Sequence, residues 1–433
     1  NSWRPELKRR GRRGGDIAAT SGREVGERDQ NQSQMSKIIL KKGREESLKR
    51  FHPWVFSGAV AQIVGEPAEG DVVNVFGSDG KFLATGHFQI GSIAVRVLSF
   101  DSPVLGDDFW KVMIYNALQV RKSVGLAGVS DGRTNCYRLV HGEGDNLPGL
   151  IIDYYDGVCV MQAHSAGMFR AKKQICEALI SVYGDELKAV YDKSSGTAPF
   201  KAGLELVDGY IYRKEGFNDD EQTVLENGHR FIVNWTEGQK TGFFLDQREN
   251  RALVERYSKG RNVLNLFCYT GGFSIYALGA GAAHVDSVDS SSKAMAMVRR
   301  NIELGGFPEE SHGEYCQDAI EFLRNVPADR YDLMIVDPPA FAKHRGALNN
   351  ALRAYQRLNA AAISKVAPGG LVFTFSCSQV VDKEAFALAV FSGAAQTGRK
   401  VRILDRLNQP ADHAVNIYHP EGEYLKGLLL YVE

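Results

Sequence analysis

From Arg261 onward, short apolar runs alternate with longer stretches in which apolar residues recur every three to four positions. The runs at 263–267, 285–288, 333–336, 371–375, 401–404 and 426–432 read as strands, and the stretches at 273–280, 292–304, 348–366 and 383–395 as helices. Strands alternating with helices of this length predict a doubly wound parallel α/β sheet over the C-terminal part of the chain. Upstream the pattern changes. Residues 35–103 carry only short strand-like runs, at 38–40, 72–76, 82–88 and 93–98, separated by turns such as Ser78-Asp-Gly80, which predicts a small β-barrel or sandwich. Residues 104–222 mix helical periodicity (109–124, 168–183) with strands (150–153, 158–163), an α+β middle domain. Within it, 137–153 is rich in turn residues and reads as a glycine-supported loop leading into a strand rather than as packed core. Two runs flanking Asn227-Gly228 predict a β-hairpin that opens the last domain, 223–433. A helix then follows from about Asp246 to Ser258.

Composition narrows the class. A chain of 433 residues with 44% hydrophobic and 24% charged residues is globular and long enough for two or three cores. No run of eighteen apolar residues occurs, and a secretory leader is not apparent, so a cytoplasmic protein is expected, with no membrane partner. Residues 1–34, rich in Arg, Gly, Ser and Gln, are expected to be a disordered extension with Met35 as an alternative start. The other reading is a basic RNA-binding arm at 8–13. The six cysteines show no CxxC pair, which argues against a metal site or a disulfide framework. Net charge is zero, so nucleic-acid binding has to come from a local patch. Lys37, Lys41, Lys42, Arg44, Lys49 and Arg50 against Glu45 and Glu46 form such a patch; Lys41, Lys42 and Arg44 are its candidate phosphate contacts, and a solvated basic rim is the plainer alternative. The oligomeric state is left open, a homodimer being one option.

Four strand ends carry candidate chemistry. The first empties into Cys268-Tyr-Thr-Gly-Gly272, and the next ends at Asp289. Tyr269, Thr270, Gly271 and Gly272 would let backbone approach an adenosine-bearing ligand while Asp289 accepts its ribose hydroxyls. This pattern alone does not choose between a nicotinamide cofactor and S-adenosylmethionine, although the Gly-x-Gly-x-x-Gly fingerprint of pyrophosphate binding is absent. Asp318 either pairs with the adenine amine or caps a helix. Asp337-Pro338-Pro339-Ala340-Phe341 is a stiff turn after an apolar strand, turning Asp337 and nearby carbonyls toward a planar amine-bearing base, with Phe341 either stacking on that base or packing in the core. Cys377, at the end of the 371–375 strand among Ser376, Ser378 and Gln379, reads as a nucleophile at an exposed polar strand end; the alternative is a small buried hydrophobe.

Two resemblances follow from these residues. Arg50-Phe-His-Pro-Trp-Val-Phe-Ser-Gly58 resembles the opening of the PUA domain, a small RNA-binding barrel. The ordered set Gln239-Lys-Thr-Gly-Phe-Phe-Leu-Asp-Gln-Arg248, Asn265-Leu-Phe-Cys-Tyr-Thr-Gly-Gly-Phe273, Asp337-Pro-Pro-Ala-Phe341, Phe375-Ser-Cys-Ser378 and Pro420-Glu-Gly-Glu-Tyr-Leu-Lys426 resembles the class I 23S rRNA cytosine-C5 methyltransferases that carry an N-terminal PUA domain. That resemblance implies a Rossmann-like class I methyltransferase domain, S-adenosylmethionine as donor, and 23S rRNA or a large-subunit assembly particle as partner. It also implies Lys240 and Arg248 near the donor, Cys377 attacking C6 of a flipped cytosine, and Asp337 on its N3/N4 edge. Many RNA cytosine-C5 methyltransferases carry a second cysteine after the Asp-Pro turn. Here that place holds Ala340 or Phe341, so release has to proceed without a second thiol. The rival readings are methylation of an exocyclic amine such as guanine N2, which needs no thiol, and a non-catalytic RNA-binding assembly protein. A nicotinamide oxidoreductase ranks below both.

Overall fold

The computed structural model describes residues 35–128 and 131–433; the disorder expected over 1–34 lies outside them. Six strands of the N-terminal region hydrogen-bond in the order Trp54–Phe56, Ile93–Ser99, Phe82–Phe88, Val72–Phe76, Lys37–Leu40, Val60–Val64. All neighbours are antiparallel except Lys37–Leu40 beside Val72–Phe76. Alternation drives inward the side chains of Ile38, Leu40, Val73, Val75, Val95 and Val97, which form one core.

The middle region holds a five-stranded sheet in the order Gly209–Arg213, Ala189–Asp192, Val158–Ala163, Leu150–Tyr155, Cys136–His141. Helices Phe109–Ser123 and Lys172–Tyr183 cover it. The helix expected over 168–183 is broken into Ala166–Arg170 and Lys172–Tyr183. The loop expected at 137–153 is corrected more deeply: Cys136–His141 is a strand, and Tyr137, Leu139 and Val140 belong to the core. The turn residues are concentrated after it, where Gly142, Asn146 and Gly149 take positive φ and reverse the chain into Leu150–Tyr155. The hairpin pairs Glu221–Glu226 with His229–Asn234, with Asn227 at φ 50° and Gly228 at φ 84°, as a tight two-residue turn requires.

The C-terminal sheet has seven strands in the order His312–Cys316, His284–Asp289, Asn262–Leu266, Leu333–Val336, Gly370–Ser376, Lys426–Val432, Val401–Asn408. The first five are mutually parallel. The wholly parallel sheet expected from the sequence is corrected at one place: Lys426–Val432 runs antiparallel to both its neighbours. No α-helix separates it from Val401–Asn408, and without a crossover the chain returns antiparallel. The connector between these strands, residues 409–425, leaves the sheet and packs against the middle region. Asp412 accepts from Arg248 Nη1 and Nη2 (3.0 and 2.7 Å) and from the Arg138 amide (2.9 Å), and its carbonyl accepts from Arg121 Nη2 (2.6 Å). The fit is close: a Cβ on Gly144 would lie 1.9 Å from the Ala414 carbonyl oxygen.

Candidate active site

Register brings the chemistry together. Leu266 pairs with Val336, and Val336 with Thr374, so the loop after Asn262–Leu266, then Asp337, then Cys377 leave neighbouring strands on the same edge of the sheet. That edge is where open α/β sheets bind ligands.

The loop after Asn262–Leu266 is strained. Phe267, Tyr269 and Gly271 have φ of 55°, 50° and 85°, two of them non-glycine residues in the left-handed region. The strain is held by partners: the Tyr269 amide donates to Asp289 Oδ2 (3.0 Å), its hydroxyl accepts from the Gln239 amide (2.7 Å), and the Thr270 carbonyl accepts from Asn301 Nδ2 (2.9 Å). Asp289 Oδ1 accepts from the Ser291 amide (2.9 Å). Each carboxylate oxygen has a second lone pair, so the pair of oxygens retains the capacity to receive two ribose hydroxyls. This loop and carboxylate fit an adenosine-bearing donor. Gly272 opens the following helix, and a Cβ there would press on Arg251 Cδ at 3.2 Å.

Asp337 receives Gln247 Nε2 at 3.2 Å, and Gln247 is itself oriented by Asn250 Nδ2 at 2.7 Å. Burial, and then the charge of Asp246, push the Asp337 carboxyl up to about 7. A carboxyl so placed exchanges its proton at neutral pH instead of standing permanently ionised. Its folded pKa lies above its unfolded one, so the folded state binds the extra proton between these two values, and stability falls as pH rises toward about 7. Asp337→Asn removes the half-buried charge, and is therefore expected to raise the stability measured by urea denaturation at pH 8, by at most a few kcal/mol, with little change at pH 4. A variant less stable than the parent at pH 8 contradicts this electrostatic account.

Cys377 is half-buried, whereas Cys136, Cys159, Cys176 and Cys268 are buried and Cys316 is exposed. The exposed polar strand end expected around it is corrected in part, since Gln379 is exposed but its neighbours are not. Ser376 and Ser378 are buried, and both hydroxyls meet the Tyr355 hydroxyl (2.9 and 3.2 Å), which pins the turn from beneath. Lys426, also buried, donates to the carbonyls of Ser378 and Val381. Burial, then Asp337 and Asp246, raise the Cys377 thiol to about 12, with Lys426 opposing, so at rest it is protonated. Alkylation of Cys377 by iodoacetamide, resolved by peptide mass spectrometry so that Cys316 is counted separately, is expected to quicken about tenfold per pH unit between pH 7 and 9. A plateau within that range contradicts a raised thiol pKa.

The remaining candidate residues differ in where the fold places them. Lys240 (φ 53°) is exposed on the turn whose Gln239 amide bonds Tyr269, beside the donor loop. Pro338 is buried and Pro339 exposed; Phe341 is half-buried with its ring 4.7 Å from that of Tyr355, the core-packing alternative. Asp318 Oδ1 accepts from the Glu321 amide (2.8 Å) and caps the helix that follows, while Oδ2 keeps the capacity to accept from an adenine amine. Arg248 is the clear correction: it is fully buried, and its guanidinium is committed to Asp412, with Glu226 3.8 Å away, so it braces the site from inside rather than facing a donor. Lys41, Lys42 and Arg44 are exposed in the turn that follows strand Lys37–Leu40 of the N-terminal sheet, and Lys41 Nζ donates to the Gly58 carbonyl. Sequence reasoning leaves Asp246 and Tyr424 without roles, yet the Tyr424 hydroxyl donates to Asp246 Oδ2 (2.7 Å) next to Gln247. The available signal is an acid set in an apolar loop, Phe243-Phe244-Leu245-Asp246.

The seven-strand order, the strained loop with its acid, and the thiol and carboxyl on the same edge define a class I S-adenosylmethionine-dependent methyltransferase joined to a PUA-like domain. The family model for a PUA-like domain matches residues 38–100, and that for S-adenosylmethionine-dependent methyltransferases matches 213–428. Ribosomal RNA large subunit methyltransferase I of Pseudoalteromonas translucida is 39% identical over 398 residues, covering 91% of this chain and 98% of that protein. Its counterpart from Aeromonas hydrophila is 39% identical over 403 residues, with the same coverage of 91% and 98%. The chain belongs to the ribosomal RNA large subunit methyltransferase I family. Its fold matches a methyltransferase crystallised with S-adenosylhomocysteine (TM-score 0.78, 24% identity, 92% of this chain and 100% of that one). It also matches an S-adenosylmethionine-dependent methyltransferase from Streptococcus mutans (TM-score 0.77, 23% identity, the same 92% and 100% coverage). The methyl donor is S-adenosylmethionine. No helix among the described residues is long and apolar enough to cross a membrane.

Proposed function

We propose that this enzyme acts in the cytoplasm and methylates C5 of a cytosine in 23S rRNA through a covalent bond between Cys377 and C6. The observation that carries the reading is the pairing, on adjacent strand ends, of a protonated thiol with a carboxyl that titrates near neutrality. Cytosine C5 is a poor nucleophile until a group adds at C6, so an enzyme acting there needs a thiol and a proton route to N3. Asp337 takes the Cys377 proton as the sulfur–C6 bond forms and passes it to N3, leaving the electron pair of the former C5–C6 double bond at C5. Bound S-adenosylmethionine supplies an electrophilic methyl group. Asp246, oriented by Tyr424, removes the C5 proton to solvent; the double bond re-forms, the sulfur leaves, and the N3 proton returns to it through Asp337. This sequence balances with one thiol, as the absence of a cysteine at Ala340 and Phe341 demands.

Support for the substrate comes from the relatives' name, from the PUA-like domain and from the exposed Lys41, Lys42 and Arg44. The donor is held by the Tyr269 to Gly272 loop and Asp289, with Lys240 toward its carboxylate. The test is methylation of large-subunit RNA carrying tritium at cytosine C5. One tritium released per methyl transferred is expected; methyl transfer with tritium retained sinks C5 chemistry in favour of an exocyclic amine, and no transfer sinks the reading altogether.

A further inference from the structure

One cluster lies apart from the thiol and the donor loop. His52 follows the short helix Glu46–Lys49 of the N-terminal region, while His419 and Glu421 sit on the connector, the latter within the tight turn Pro420–Gly422. One ligand atom from each falls within 4.8 Å of the others, and His419 Nε2 is 3.8 Å from Glu421 Oε2. A second observation points the same way. His419 is only 3% exposed, yet neither ring nitrogen has a hydrogen-bond partner. A buried imidazole with both nitrogens unmatched is unfavourable unless something occupies one of them.

We infer that His52, His419 and Glu421 form a binding site for one divalent transition-metal ion of the zinc type, which ties the PUA-like domain to the connector of the catalytic domain. The donor set decides the class: two imidazoles and one carboxylate suit zinc and its neighbours, whereas magnesium and calcium take oxygen ligands. His52 is prepared for the role. Its Nδ1 lies 3.2 Å from the Trp54 carbonyl, and in the tautomer that donates there Nε2 presents its lone pair outward. The same Nδ1 is 3.1 Å from the Trp54 amide, which the other tautomer accepts, so metal binding selects between the two. Closing the ligands to bond lengths of about 2.0–2.2 Å requires a contraction of about an ångström, within reach of Glu421, whose side chain is 68% exposed. Nearby Arg96 is no obstacle, since its charge is matched by Glu143 at 3.3 Å. With three protein ligands, a fourth position remains for water. Cysteine spacing argues against a metal; these ligands are not cysteines and come from opposite ends of the chain.

The experiment uses the full chain without an affinity tag. Metal content after purification without chelators is read by inductively coupled plasma mass spectrometry, and zinc chloride is titrated calorimetrically into chelator-stripped protein. About one equivalent of zinc per chain is expected, with binding weakened about a hundredfold or more in His52→Gln and in Glu421→Gln, two accessible positions whose substitution leaves the core intact. Cobalt in place of zinc should give d–d bands without a thiolate charge-transfer band. The inference is overturned if no stoichiometric site appears, if both variants bind as the parent does, or if the cobalt spectrum reports sulfur ligation.

Discussion

Cys377→Ala is expected to lower methyl transfer to cytosine by at least about a thousandfold while leaving calorimetric binding of S-adenosylmethionine unchanged. The two readouts separate because Cys377 follows Gly370–Ser376, whereas the donor loop and Asp289 belong to other strands. The parent enzyme is also expected to form a denaturation-resistant complex with RNA containing 5-fluorocytosine, in which the fluorine at C5 cannot leave as a proton, and the variant is expected to form none. A variant that still methylates at more than about a tenth of the parent rate would falsify covalent catalysis and favour transfer to an amine. The raised thiol pKa sharpens this expectation: sulfur this well protonated attacks only when a proton acceptor and a base are both in place, which ties the rate to Asp337 as well.

The second large effect concerns stability. Asp412→Ala is expected to cost about 3–5 kcal/mol or to prevent folding, because it removes the acceptor for Arg248 and for the Arg138 amide while leaving the arginine charge buried. Burial and, against it, the Arg248 guanidinium set the Asp412 carboxyl, and the arginine wins, holding it well below the usual range. Its contribution is thus present above the unfolded carboxylate pKa and is lost only in acid. Urea denaturation followed by tryptophan fluorescence measures the change. Loss of less than about 1 kcal/mol contradicts the view that this pair is a buried, matched charge.

What is legible in the sequence follows from what local pattern can encode. Leu333–Val336 and Gly370–Ser376 are buried on both faces and read as apolar runs broken only by Thr374, so these two strands and the residues at their ends, Asp337 and Cys377, stand out. His312–Cys316 is half-exposed at the sheet edge and carries no such run, which hides it. Cys136–His141 is masked by the glycines that follow it, although its own side chains are core. The resemblance implies Arg248 near the donor, and nothing local in the chain corrects it, because the acid that claims it lies 164 residues away in a connector with no periodicity. Asp246 and Gln247 acquire meaning only once Asp337 and Tyr424 are beside them in space. The thiol is visible in the chain; the acid Asp246 that bears on it from another element is not.

The connector that carries Asp412 also sets a schedule. Arg121 leaves the ribosome 291 residues before the Asp412 carbonyl that receives its Nη2, a lag of about 15–60 s at ordinary rates of synthesis. Until then Arg248 lacks its carboxylate and the Arg138 amide its acceptor, so the middle sheet and the first catalytic strands wait half-finished. A chain released before residue 412 therefore keeps the Arg121–Asp145 pair but leaves Arg248 with only Glu226, 3.8 Å away, and is expected to be a better substrate for chaperones and proteases than the finished protein.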